Sequence, residues 1–277
     1  MTVDLHMHSS SSDGAMAPDA LMRFANLQCG VSTIALTDHD TVGGVAQARA
    51  EACRLGMRFI SGIEISSFWA KKNIHVVGLG VDETHVELLA EANRLSLQRD
   101  RRAVQIGDKL AELGYPGMYQ AALAKALNKD NISRLHFAQA LLEIGAVPNI
   151  QVAFDRFLSD GCPAFVDAGW AHMTETIDLI HRAGGIAVLA HPGRYKYPEL
   201  WQLEELVRAF KEAGGEAIEV YSGSQSAAYT RHCMQWATIY DFHVSVGSDF
   251  HSTQGVRPLP GQQGQIPEGM KSVLDLL

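Results

Sequence analysis

The chain has 277 residues, 47% of them hydrophobic and 19% charged, with a formal net charge of -8 at pH 7. That length accommodates one large α/β domain with an insertion, and no apolar run is long enough to span a bilayer. The acidic balance excludes a broad basic surface gripping long duplex nucleic acid, so an anionic substrate has to be held locally, for example by bound divalent ions. Cys29, Cys53, Cys162 and Cys233 form no C-x-x-C pair and read as reduced thiols. The first residues, Met1 to His6, carry neither a basic leader nor an apolar secretion segment, so a cytoplasmic location is the default expectation, with no membrane and no obligate protein partner.

Short β-prone runs alternate with helical patterns along most of the chain. Val3 to Leu5 reads as the first strand, and Pro18 opens an apolar-periodic stretch ending near Gly30. Thr33 to Leu36 is the second strand, Val42 to Leu55 a helix stopped by Gly56, and Arg58 to Ser61 and Ile74 to Leu79 the next two strands. From Arg99 to Phe165 helical patterns follow one another without a convincing strand. Within that stretch Ser133 is a candidate N-cap for the apolar run through Leu142. The alternation then resumes. Ile186 to Ala190, Ala217 to Tyr221 and His243 to Gly247 read as strands, separated by helices over Glu199 to Ala213 and Gln225 to Tyr240 and preceded by one over Thr174 to Ala183. Gly255 to Gly264 reads as a terminal loop. The fold class is therefore α/β, a barrel or distorted barrel built from residues 1-98 and 166-277, with 99-165 inserted as a helical cap.

Histidines and carboxylates cluster at the ends of these strands. His6-Met7-His8 and Asp13 follow the first, Asp38-His39-Asp40 the second, and Glu64 the third; His75 lies in the fourth, His191-Pro192 closes the fifth, and Asp249-Phe250-His251 follows the last. In an extended segment His6 and His8 project to one side, so two imidazoles can meet one ion. A lone His75 or a single H-x-H is more often structural, but a barrel gathers its strand ends on one face, and several imidazoles facing several acids there are satisfied together by metal. His85, His172, His181, His232 and His243 lack this convergence and read as structural or surface histidines.

Five separated segments, Asp4-Leu5-His6-Met7-His8-Ser9 with Ser12-Asp13-Gly14, Thr37-Asp38-His39-Asp40, Gly62-Ile63-Glu64, Ala190-His191-Pro192 and Gly247-Ser248-Asp249-Phe250-His251, resemble in type and order the motifs of the PHP (polymerase and histidinol phosphatase) domain. The resemblance implies a distorted seven-stranded (β/α) barrel with two or three divalent ions. Carried over by motif, His6, His8, Glu64 and Asp249 would hold one ion, Asp13, His39 and His251 a second, and Glu64, His75 and His191 a third. Asp13 stands where many members have histidine, and the added oxygen ligand favours manganese over zinc or iron. A hydroxide bridging the ions is the expected nucleophile. Asp38 is a candidate to orient His39 from behind or, equally, to cap the loop.

Selectivity has to come from the cap and loops, because the ions recognise phosphate and not what it is attached to. Arg134 and Arg194 are the candidates for binding a second phosphate, with His136 beside them; Lys129 and Ser222 read as solvent-facing. Barrel motifs around a helical insertion are similar to those of family members that hydrolyse nucleoside 3′,5′-bisphosphates to 5′-monophosphates or degrade short RNA from its 5′ end. Two other readings are open: a histidinol-phosphate or other small phosphomonoesterase, and a non-catalytic accessory module, against which the full donor set argues.

Overall fold

The computed structural model describes residues 2–223, 225–254 and 257–277. Seven strands lie side by side in chain order: β1 Val3–Asp4, β2 Thr33–Leu36, β3 Arg58–Trp69, β4 Lys72–Leu79, β5 Ile186–Leu189, β6 Ala217–Ser222 and β7 His243–Gly247. β1 to β3 are parallel, as are β5 to β7, while β4 runs antiparallel to both its neighbours. The ring closes where the Leu5 amide donates to Val246 O at 3.0 Å and Met7 bridges Phe250. Only glycine suits position 247, since a Cβ there would stand 2.2 Å from the Cβ of His6.

Parallel strands need crossovers, and the helices supply them: α1 Pro18–Arg23, continued by a π-turn over Phe24–Gln28, and α2 Val45–Arg54 on the first half. β2, TIAL, is buried throughout, as a strand covered on both faces should be.

β3 is three times as long as the run Arg58 to Ser61 and forms a hairpin with β4. Its turn is Ala70-Lys71, with φ of 42° and 66°. Both residues take the left-handed conformation that two-residue hairpins need, without the glycine or asparagine that would have announced it. The reversal of β4 corrects one expectation: His75 reaches the common rim from the first half of its strand, not from a carboxyl end.

Between β4 and β5 come α3 Val86–Glu112, α4 Met118–Lys125, α5 Arg134–Glu143 and α6 Ile150–Ala153. α3 is about 40 Å long at the usual helical rise. Leu88 and Leu95 belong to the barrel core, whereas Ala103, Ile106 and Leu110 join a separate apolar cluster with Met118, Phe137 and Leu141. Position 98/99 therefore falls inside one helix. Ser133 caps α5, accepting from the Leu135 amide at 3.2 Å.

α7 Met173–Arg182, α8 Leu200–Glu212 and α9 Ala227–Ile239 complete the outer layer. The glycine-rich stretch after β7 turns back to β1. The Gly261 amide donates to Asp4 Oδ2 at 2.9 Å, and Val3 N–H to Gln265 Oε1 at 2.8 Å. Gly255 and Val256 of that expected loop lie outside the described residues. No described helix is long and apolar enough to cross a membrane.

Candidate active site

Backbone register brings the site together. Beyond β1, Asp249 N–H donates to His6 O at 2.8 Å and His8 N–H to Phe250 O at 3.0 Å, which sets Asp249 beside the two histidines. On the other flank Thr37 N–H donates to Met7 O at 3.0 Å and Asp40 N–H to Glu64 O at 2.9 Å. His39 and Glu64 form an isolated bridge, Ser66 pairs with His75, and the Ala190 amide reaches His75 O at 3.2 Å. Each donor thus inherits its place from the strand beside it. Asp40, His191 and Asp249 hold φ of 55°, 32° and 52°, left-handed values that cost strain and concentrate where function demands a fixed geometry.

Glu64 is the centre. Its Oε1 lies 2.8 Å from His75 Nδ1 and 2.8 Å from His191 Nε2. Its Oε2 lies 2.8 Å from His39 Nδ1, 3.2 Å from His8 Nε2 and 3.3 Å from His6 Nε2. Asp249 Oδ1 is 3.2 Å from His8 Nε2, and Asp13 Oδ1 is 3.2 Å from His251 Nε2. Three donor groups emerge: His6, His8 and Glu64; His8, Asp13, His39 and His251; and His39, Glu64 and His75. Seven of the nine expected donors fall in these groups, with His8, His39 and Glu64 each in two, while Asp249 and His191 lie against them through His8 and Glu64.

Hydrogen bonding alone does not satisfy this cluster. His8 Nδ1, Asp13 Oδ1, His39 Nδ1, Glu64 Oε2 and His191 Nδ1 are buried without a hydrogen-bond partner. Such orphaned atoms are costly, and a cation bound among them removes the cost. A mixed set of imidazole nitrogens and carboxylate oxygens suits divalent transition ions.

The charges are set accordingly. Burial opposes ionisation of Glu64, but His39, His75 and His6 outweigh it and hold its pKa well below the usual range. Asp13 is likewise held low against burial by His251 and His39, and Asp249 by Arg257 and Arg194. Burial pushes His39, His191 and His251 down to about 4, so they present neutral rings. Against the same burial, Asp249 and Glu64 raise His8 to about 9.

With this geometry in place, comparison with known proteins is decisive. A model of the PHP domain matches residues 4–140. The 5′-3′ exoribonuclease of Haemophilus influenzae is 42% identical, over 90% of this chain and 89% of that one. The 3′,5′-nucleoside bisphosphate phosphatase of Chromobacterium violaceum is 38% identical, over 95% and 89% respectively. An amidohydrolase from Chromobacterium violaceum, solved with bound sulfate and no metal, superposes with a TM-score of 0.93 at 36% identity, covering 100% of this chain and 95% of that one. The chain belongs to the PHP domain family. It is a metal-dependent phosphoesterase of that family, and so a hydrolase.

The remaining expected residues of this PHP protein sit as follows. Asp38 does not touch His39. It accepts from Ser9 N and Ser9 Oγ at 2.8 and 2.6 Å and from Ser12 Oγ at 2.6 Å, so it holds the loop that carries Asp13. Arg194 donates to Asp249 Oδ2. Arg134 donates to Leu158 O at 3.2 Å and lies over the Phe154 ring. His136 is buried and accepts the Ser133 N–H on Nδ1 at 3.0 Å, which leaves its proton on Nε2. Lys129 is exposed and tied to Leu123 O and Ala126 O, as a solvent-facing residue would be. Ser222, read as solvent-facing, is buried at the end of β6.

His85, His172, His181, His232 and His243 stay outside the cluster; His181, for instance, pairs with Glu216 at 2.7 Å. Two site residues had no sequence signal. Arg257, in the glycine-rich stretch, donates to Asp249 Oδ1 at 2.9 Å and to Asp249 O at 2.7 Å. Glu219, inside β6, donates nothing and accepts from two site residues.

Proposed function

We propose that the chain hydrolyses the 3′-phosphoryl ester of nucleoside 3′,5′-bisphosphates to give nucleoside 5′-monophosphates, and that it acts on short RNA from the 5′ end by the same reaction. One observation carries this reading: a cage of nine acid and imidazole donors has arginine guanidinium groups at its edge. The names of the two relatives support it jointly, since bisphosphate phosphatase and 5′-3′ exoribonuclease are one chemistry if a 5′-phosphate is gripped while the neighbouring 3′-phosphoryl group is attacked.

His6, His8, Glu64 and Asp249 would hold one ion, Asp13, His39 and His251 a second, and Glu64, His75 and His191 a third. The Asp13 oxygen favours manganese. Bound there, divalent ions would supply a nucleophilic hydroxide near neutral pH and neutralise phosphoryl oxygens. The protein's own part is to keep Glu64, Asp13 and Asp249 ionised and His39, His191 and His251 neutral, so that the donors need little rearrangement. Arg194, anchored by Asp249, and Arg134, on the helical segment 99–165 that we propose acts as the cap, would bind the second phosphate. His136, with its proton fixed on Nε2, would offer a neutral donor.

The test is turnover by manganese-loaded enzyme. Adenosine 3′,5′-bisphosphate should be hydrolysed to adenosine 5′-monophosphate far faster than a simple sugar phosphate; equal rates on both would reject the assignment.

A further inference from the structure

Glu219 sits where a barrel strand ordinarily carries an apolar side chain. Its neighbours Ile218 and Val220 are core residues, and Glu219 itself is 1% exposed. The pairing of β6 with β7 shifts register between Glu219 and Tyr221, a bulge of the kind that re-aims a side chain. A carboxyl group in such a place is costly unless both its oxygens are satisfied.

Both are. Oε1 lies 2.7 Å from His6 Nδ1, and Oε2 accepts the backbone N–H of His191 at 2.6 Å. The first contact fixes the ring: Nδ1–H donates to Glu219, which aims Nε2 at Glu64, His8 and Asp249. The second holds a strained turn. His191 adopts φ 32° and ψ 54°, a left-handed conformation unfavourable for a residue with a Cβ, and its ring reaches Glu64 from that turn. One side chain therefore governs two donors that arrive from opposite parts of the barrel, His6 after β1 and His191 after β5.

We infer that Glu219 is a positioning residue of the metal centre, holding the His6 ring by its Nδ1–H and the His191 turn by its N–H so that both rings face the ions. This rests on the reading of His6 and His191 as metal donors. Glutamine is the informative replacement, because it keeps the volume of glutamate but offers one acceptor and one donor group. It satisfies either the His6 Nδ1–H or the His191 N–H, never both. Where its amide faces His6, the imidazole proton moves to Nε2 and blocks that nitrogen.

The experiment compares wild type and Glu219→Gln by manganese titration, following free ion by electron paramagnetic resonance, and by ¹⁵N chemical shifts of the His6 ring in chelator-treated protein. Glu219→Gln is expected to bind manganese about 10- to 100-fold more weakly. The ring shifts should show Nδ1 going from a protonated to an unprotonated value. A folded Glu219→Gln with wild-type affinity and an unchanged Nδ1 shift would overturn the inference while leaving the metal reading intact. A wild-type protein that binds no manganese would overturn the metal reading and the inference with it. Should Glu219→Gln fail to fold, Glu219→Asp, one methylene too short to reach both partners, carries the same expected loss of affinity.

Discussion

The Nε2 atoms of His6 and His8 face each other at 3.2 Å. Against burial, Glu219 and Glu64 hold the His6 pKa well above its ordinary value, so in the metal-free protein the contact between the two nitrogens carries a proton. An ion ligated by both nitrogens has to displace that proton. With no ion present, Asp249 and Glu64 overcome the effect of burial and raise His8 to about 9, so the proton is still in place at pH 7. Manganese binding at pH 7 should therefore release at least one proton, and apparent affinity should rise about tenfold per pH unit for each proton released, up to pH ~9. Calorimetry in two buffers of different ionisation enthalpy counts the protons, and a heat independent of buffer would contradict the assignment. The chelated protein should show the opposite trend. A histidine whose folded pKa lies above its ordinary 6.5 adds stability that is complete below 6.5 and lost as pH rises through about 9, so its urea midpoint should fall over that interval.

Arg194 joins the proposed metal cage to the proposed phosphate site, because it follows His191 by one short turn and donates to Asp249 Oδ2. If it also binds the second phosphate of the substrate, Arg194→Ala should reduce kcat/KM on adenosine 3′,5′-bisphosphate by about 10- to 100-fold, in line with a charge-assisted hydrogen bond of roughly 1.5–3 kcal/mol. The loss should appear mainly in KM, and hydrolysis of a monoester with a single phosphate should fall much less. Equal losses on both substrates would mean that Arg194 serves Asp249 alone.

The nine expected donors could be picked out because each follows, or lies within, a run with a clear apolar pattern, and a barrel gathers such positions on one face. Glu219 was not. In Ala217–Ser222 a glutamate between isoleucine and valine reads as the outward face of an alternating strand, and only the bulge and the closed ring turn it inward. The direction of β4 was hidden for a local reason: Ala70-Lys71 adopts a turn usually marked by glycine or asparagine. For Asp38 the sequence left two roles open, orienting His39 or holding the loop. It is adjacent to His39 in sequence, but successive side chains of an extended segment point apart, and its oxygens find Ser9 and Ser12. The helical segment announced itself by lacking strands, yet its first edge was invisible because α3 continues unbroken from the barrel core into the second apolar cluster.

That continuous helix is fastened to the barrel rim by Arg99. Its Nε donates to Asp40 Oδ2 at 2.7 Å and its Nη2 to Ser66 Oγ at 2.9 Å, while Asp40 Oδ1 accepts the Ser66 amide at 2.6 Å. Arg99 is 5% exposed and stacks over the Trp170 ring, so the charges are shielded from water and depend on each other. Removing one member strands the other. Arg99→Met should destabilise the protein by about 3–5 kcal/mol, the usual result of leaving one half of a buried ion pair without its partner. Asp40→Asn in the same chain should recover part of the loss, since the amide is neutral. Urea denaturation is the appropriate measurement, made on chelated protein so that an ion held at the proposed site beside His39 would not contribute. A loss below about 1 kcal/mol would place this pair with ordinary surface contacts and remove it as the anchor of the helical segment.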